Sequence, residues 1–271
     1  MSEAICYFDV DMPQPHLVPM AGGAASIISR RCPGKESPNE DSAAVIPCGE
    51  DACVLVVADG MGGGRAGEEA SRLALETFSL AVAEAGDGEV ELRTAILNGI
   101  ERANQAVVDL GVGAATTLAA AEIVRGEVRP YNVGDSFVLV LGRQGKRKLQ
   151  TTAHSPVGFG VEAGLLDEAE AIHHRDRHVV SNMVGMDAMR IEVGPALLLA
   201  ANDTVLLATD GLSDNLHVCE IVEIARKGSI DQAAIRLADN ASGRMQHAVD
   251  GLPSKPDDMT LVLFRCRPPA S

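Results

Sequence analysis

The chain has 271 residues, a formal charge of −15 at pH 7 and an apolar fraction of 46%, with no Trp, 2 Tyr and 5 Phe. That charge argues against nucleic acid and anionic membrane surfaces as partners. The length suits one large domain or two small ones, with a core of Val, Leu, Ile, Ala and Met.

Residues 1–20 carry Pro13, Pro15 and Pro19 with little periodicity and read as an extended lead-in. A strand is expected over 24–31, a loop over 32–39 and a second strand over 42–47. The run 54–58 is an apolar strand ending at Asp59, followed by a glycine cluster of Gly60, Gly62, Gly63, Gly64 and Gly67. A short β-branched run bounded by glycine suits a strand buried on both faces, and glycine lets backbone or ligand come close.

Two helices are predicted over 66–84 and 90–109, separated by Gly86-Asp87-Gly88. In the second, Leu92, Ile96, Ile100, Ala103 and Val107 form a stripe of period 3.6, which lays one face on a sheet. Strands follow over 116–124, 128–133, 137–141 and 146–151, with turns at Gly126-Glu127 and Gly134-Asp135-Ser136. Strands joined by such short turns are expected to be antiparallel. Thr116 and Thr117 read as structural residues opening their strand.

The stretch 152–190 is the least regular and holds His154, His173, His174, Arg175, Arg177 and His178, the last five reading as a solvated face. Residues 194–203 lead into a strand over 204–209, which ends at Asp210-Gly211. Helices are predicted near 218–226 and 230–248, and a last strand over 259–266 follows Asp257-Asp258. Helix pairs interrupting antiparallel strands make the class α+β, with helices packed on β-sheets. Six cysteines without a Cys-x-x-Cys pair, and no apolar run near ~18 residues, point to reduced thiols and a cytoplasmic protein.

Acidic residues recur at strand ends: Asp41, Asp59, Asp135, Asp210 and Asp257. A lone Asp-Gly after a strand is usually a turn, and unrelated turns are the bland alternative to a site. If the carboxylates converge, their repulsion raises their pKa values, and a divalent cation removes the conflict. Oxygen-only ligands favour Mg²⁺ or Mn²⁺. Two such ions about 4 Å apart bind phosphate and activate water. The residues alone therefore point to metal-assisted phosphoester hydrolysis.

Taken in order, Asn39-Glu40-Asp41, Asp59-Gly60-Met61-Gly62-Gly63 with Gly67-Glu68, 113–117, Gly134-Asp135-Ser136, Asp210-Gly211 and Asp257-Asp258-Met259-Thr260 resemble the metal-dependent protein serine/threonine phosphatases (PPM or type 2C) in a bacterial form. The resemblance implies a single phosphatase domain over 21–268: an antiparallel β-sandwich flanked by helix pairs, with two Mn²⁺ or Mg²⁺ ions at one edge. Asp59 would bridge both ions, the Gly60 carbonyl would join it on one, and Asp210 and Asp257 would complete the other. Asp41 would be a ligand directly or through water, Glu40 and Asp258 would stand behind, and Asp135 would serve a weaker third ion shared with Asp210. A water activated by the two ions would attack phosphorus without a phosphoenzyme. The segment 152–190 would be a flap near a phosphoprotein substrate, and the chain is expected to be a monomer.

Departures from the family pattern bear on phosphate binding. The Arg usual about four residues before the Glu of the first motif is Glu36 here, leaving Lys35, Arg31 and Arg65 as phosphate-binding candidates. The Arg that usually follows Gly-Asp-Ser is Phe137, and Met61 stands where some members have a His proposed as general acid. Two alternatives stay open: a weak or inactive regulator of the same fold that binds metal or phosphoprotein, and a phosphatase for small phosphoesters.

Overall fold

The computed structural model describes residues 3–20, 22–62, 65–85, 91–111 and 113–266. Gly63, Gly64 and the loop Gly86-Asp87-Gly88 lie outside the described residues. The lead-in is built into the sheets as β1 (Ile5–Phe8) and β2 (His16–Met20). It is followed by β3 (Gly23–Arg30), β4 (Asp41–Pro47) and β5 (Ala52–Met61). Helices α1 (Ala66–Ala85) and α2 (Leu92–Asp109) come next. Then come β6 (Ala115–Thr116), β7 (Leu118–Val124), β8 (Glu127–Val133), β9 (Phe137–Leu141) and β10 (Arg147–Gln150).

The irregular stretch holds α3 (Pro156–Glu162) and α4 (Glu168–Ala171), then β11 (Glu192–Val193) and β12 (Leu197–Leu198). The chain closes with β13 (Thr204–Ala208), the one-turn α5 (Asp210–Ser213), α6 (Val218–Ala225), α7 (Ile230–Gln246) and β14 (Met259–Cys266).

Two antiparallel sheets result. One runs β1-β4-β5-β7-β8-β11, with β12 also on β8 and β6 on β5; the other runs β10-β9-β13-β14-β3-β2. Alternation along each strand divides its side chains between two layers. On β5, Leu55 and Val57 face the other sheet and meet Ile27, Val140, Leu207 and Phe264. Val54 and Val56 face outward and meet Leu75 and Phe78 of α1 and Ile96 and Ile100 of α2. The second sheet turns Leu139, Leu206 and Leu263 outward against Ile221 of α6 and Ala234 and Leu237 of α7. These three apolar layers make the sandwich flanked by helix pairs that the family resemblance implied. They also explain why 54–58 shows no polar alternation.

Three features differ from expectation. The lead-in supplies an edge strand to each sheet, β1 on β4 and β2 on β3. Pro19 fits because an edge strand can spare an N–H. Gly134-Asp135-Ser136 is not a hairpin: β8 belongs to the first sheet and β9 to the second, so the turn crosses the sandwich edge. Residues 192–198 add two short strands to β8 instead of leading directly into β13. Among the described residues no helix is long and apolar enough to cross a membrane.

Gly60 and Gly67 bring the end of β5 against the start of α1. A Cβ on Gly60 would lie 1.9 Å from the Gly67 carbonyl oxygen. By contrast, a Cβ on Gly243, inside α7, meets nothing within 4 Å. Chemical denaturation should therefore find Gly60→Ala destabilised by about 1–3 kcal/mol or more through overpacking. Gly243→Ala should be stabilised by about 0.5–1 kcal/mol through helix entropy.

Candidate metal centre at the sandwich edge

Asp41 and Asp59 sit directly opposite each other on β4 and β5. The Asp59 backbone is fixed on both sides. Its N–H donates to Thr117 Oγ1 at 2.9 Å, and its carbonyl accepts from Thr117 N at 2.9 Å and Thr116 Oγ1 at 2.8 Å. The two threonines are thus structural, as their place in the sequence suggested, and what they hold is Asp59. Asp41 is buried, and Thr209 Oγ1 donates to its Oδ2 at 2.8 Å. Among the described residues no donor reaches the Asp59 carboxylate.

The crossover brings Asp135 to the same edge. Ser136 Oγ shares a 2.6 Å hydrogen bond with Thr117 Oγ1, tying the turn to the residue that holds Asp59. On the other side His154, the one buried histidine among the described residues, accepts from Gly134 N–H through Nδ1 at 3.1 Å and contacts Glu192 through Nε2 at 3.0 Å. Asp210 opens α5 right after β13. Gly211 must be glycine because a Cβ there would lie 2.0 Å from the Asp258 carbonyl oxygen. Asp257 and Asp258 precede β14, whose Met259 pairs with Arg30 of β3.

A cation that sequence reasoning missed lies in this cluster. Lys255 Nζ is 2.9 Å from each of Asp210 Oδ2, Asp214 Oδ2 and Asp257 Oδ2. Asp214 was missed too. The available signal was a lysine two residues before Asp257 and an aspartate four residues after Asp210, both easily taken for surface charges.

Burial and mutual repulsion raise the acids. Asp59 is held well above the ordinary carboxylate range by desolvation and then by Asp210, Asp41, Asp135 and Asp257. Desolvation does the same to Asp41, against the opposing Thr209 hydrogen bond. Asp135 is pushed up to about 7 by desolvation and then by Asp210. Asp257 is raised by desolvation and Asp210, against the pull of Lys255. Spacing alone left open whether these five carboxylates converge; in the structure they share one electrostatic neighbourhood around Asp59.

Among the described residues no three Asp, Glu, His or Cys side chains are already closed into a metal-ligand group. Asp41 is turned to Thr209, while Asp210 and Asp257 each give one oxygen to Lys255. Divalent ions nevertheless fit the residues present. Asp210 Oδ1 is buried without a partner, and the donors are all hard oxygens.

Other candidates sit around this group. Asp258 is buried and satisfied by Cys32 N–H at 2.7 Å, Glu40 N–H at 2.7 Å and Lys35 Nζ at 2.6 Å. Lys35 also donates to Glu40 Oε2 at 2.7 Å, so its ammonium is spent on two carboxylates. Arg31 lies 3.6 Å from Asp9. Arg65, just before α1, is exposed. His174 lies 3.9 Å from Asp176 and His178 lies 3.8 Å from Asp214, each in the flap-like stretch. All six cysteines are free thiols, as expected.

An antiparallel sandwich flanked by helix pairs, with a carboxylate cluster where the strands end, is an arrangement suited to a metal-dependent phosphatase. The family model described as "Protein phosphatase 2C" matches residues 30–245. The "Serine/threonine phosphatase stp" of Listeria welshimeri is 31% identical over 213 residues, covering 72% of this chain and 81% of that protein. A solved serine/threonine phosphatase from S. agalactiae superposes with a TM-score of 0.77 at 27% identity, over 90% of this chain and 99% of that one. The catalytic domain of the phosphatase PstP, solved with 2 manganese ions, gives 0.71 at 26% identity, over 90% and 98%. The chain belongs to the protein phosphatase 2C family, the manganese- or magnesium-dependent protein serine/threonine phosphatases, in its bacterial form.

A raised carboxylate pKa stabilises the fold below the group's ordinary value of 3.8, and the benefit is lost as pH rises through the folded value, about 7 for Asp135. Metal-free protein should therefore lose this contribution between about pH 4 and pH 7, and Mn²⁺ should raise Tm more at about pH 8 than at about pH 5. Calorimetric titration in buffers of different ionisation enthalpy should find more protons released per Mn²⁺ at about pH 6 than at about pH 8.

Proposed function

We propose that the chain removes phosphate from phosphoserine and phosphothreonine of proteins at a two-ion centre. Asp41, Asp59, the Gly60 carbonyl, Asp210 and Asp257 would be its protein ligands. The observation that carries the reading is the meeting of carboxylates from separate segments around Asp59, whose charged form is opposed by four of them. Two Mn²⁺ or Mg²⁺ ions, when bound, supply Lewis acidity toward the phosphoryl oxygens and lower the pKa of water.

The chain's own residues do the positioning. Thr116 and Thr117 hold Asp59 in register, and Asp258 ties Cys32 to Glu40 behind it. With Lys35 spent on Glu40 and Asp258, Arg65 is the exposed one of the three basic candidates and the one this reading assigns to the phosphate. A groove of about 540 Å³ opens beside Asp135, Asp210 and Asp214, lined by Leu149, Val157 and Ile172 among others. We take the phosphatase domain to be 21–268 together with the lead-in strands β1 and β2, monomeric and acting on phosphoproteins rather than nucleic acid. Free thiols, two of them exposed, support a reducing compartment such as the cytoplasm.

Release of phosphate from a phosphothreonine peptide should require Mn²⁺ and stop reversibly with EDTA. Asp59→Asn and Asp210→Asn should each lower kcat/KM by roughly 10³-fold or more, the loss of several kcal/mol of charge stabilisation, with the folded circular dichroism spectrum retained. Mn²⁺ binding without phosphate release would replace this reading by the regulator, and equal preference for p-nitrophenyl phosphate would replace it by the small-ester phosphatase.

A further inference from the structure

Lys255 is placed by the scaffold. Its N–H donates to Asn215 Oδ1 at 2.8 Å and its carbonyl accepts from Asn215 Nδ2 at 2.8 Å. Asn215 is fully buried and also donates to the Gly211 carbonyl at 2.9 Å. Arg244 Nη1 donates to the Asn215 carbonyl at 3.0 Å, and Ser254 Oγ donates to the Arg244 carbonyl at 2.8 Å. The backbone that carries the lysine is therefore anchored to α5 and α7, and the side chain is aimed inward.

An ammonium has three N–H donors and no acceptor. Lys255 spends all three on carboxylates at 2.9 Å, one each from Asp210, Asp214 and Asp257. Among the described residues Asp214 has two nitrogen partners: Lys255, and His178 at 3.8 Å. Asp135 lines the same groove as Asp210 and Asp214. Asp135, Asp210 and Asp214 thus form an acidic group on the α5 side of the centre, and a fixed positive charge already lies against two of its members.

We infer that the Lys255 ammonium stands in for a third divalent ion on the Asp135, Asp210 and Asp214 side of the centre, so that the chain takes up two ions and not three. The inference rests on the two-ion reading proposed above. Lys255 uses only Oδ2 of Asp210 and leaves the buried Oδ1 without a partner. One aspartate can therefore serve the lysine and an ion together. The tethered cation supplies one charge that does not vary with the metal concentration.

The test is a count of Mn²⁺ per chain by equilibrium dialysis and isothermal titration calorimetry on the full chain. The wild type should hold two Mn²⁺. Lys255→Met should hold one more, at lower affinity, with a Tm below wild type that Mn²⁺ restores. Lys255→Gln should behave alike, so either variant that folds decides the matter. Lys255→Met combined with Asp214→Asn should lose the added ion. Three ions or one on the wild type would overturn the inference, as would a folded Lys255→Met or Lys255→Gln that gains none. No Mn²⁺ on the wild type would overturn the two-ion reading itself, an outcome distinct from a count of three.

Discussion

Like charges brought together at the edge of a sandwich set the terms for the rest of the molecule. Two carboxylates about 4 Å apart repel by about 4 kcal/mol even at an effective dielectric of 20, and Asp59 feels four others. A marginally stable fold cannot leave that uncompensated. The compensation comes in several forms: protons on the raised acids, Thr209 on Asp41, Lys35 on Asp258 and Glu40, and Lys255 on three aspartates. Divalent ions complete it. The same imbalance that weakens the metal-free fold gives those ions their affinity.

Rigidity keeps the acids from relaxing apart. Each is carried at or beside a strand end, where the backbone is already paired. The adjoining loops are locked by buried hydrogen bonds: Thr116 and Thr117 for Asp59, Ser136 and His154 for the Asp135 crossover, and Asn215 for Lys255. A buried polar group with a partner holds geometry firmly because losing that partner is costly. Close backbone approaches at Gly60 with Gly67, and at Gly211 with Asp258, remove the remaining slack. Preorganisation of this kind separates a metal centre from a patch of surface acid.

The strands and long helices were legible because their signals are local. The apolar stripe from Leu92 to Val107 and the unbroken run at 54–58 each read directly as α2 and β5. The acidic strand ends were legible because the same strand-Asp-Gly design recurs at Asp59 and Asp210. What stayed hidden depends on long-range pairing. Nothing local distinguishes Gly134-Asp135-Ser136 as a crossover from a hairpin turn, since the difference lies in which sheet β9 joins. The lead-in lacked periodicity because an edge strand of four or five residues buries little. Lys255 and Asp214 went unseen because their meaning lies in a contact 41 residues apart, from position 214 to position 255.

The departures from the family pattern acquire a common sense in this light. Phe137, where the family usually has Arg, is buried among Leu212, Leu216 and other side chains of the second sheet's outer layer, a place where an unpaired guanidinium would be costly. Lys35, near the other lost Arg, turns to Glu40 and Asp258 and so braces the centre from behind. Lys255 does the same from the α5 side. Positive charge that the family pattern places toward the phosphate is here directed at the carboxylates. An ammonium held by two or three carboxylates is a poor partner for an incoming anion, so these two lysines serve the carboxylate cluster rather than a phosphate.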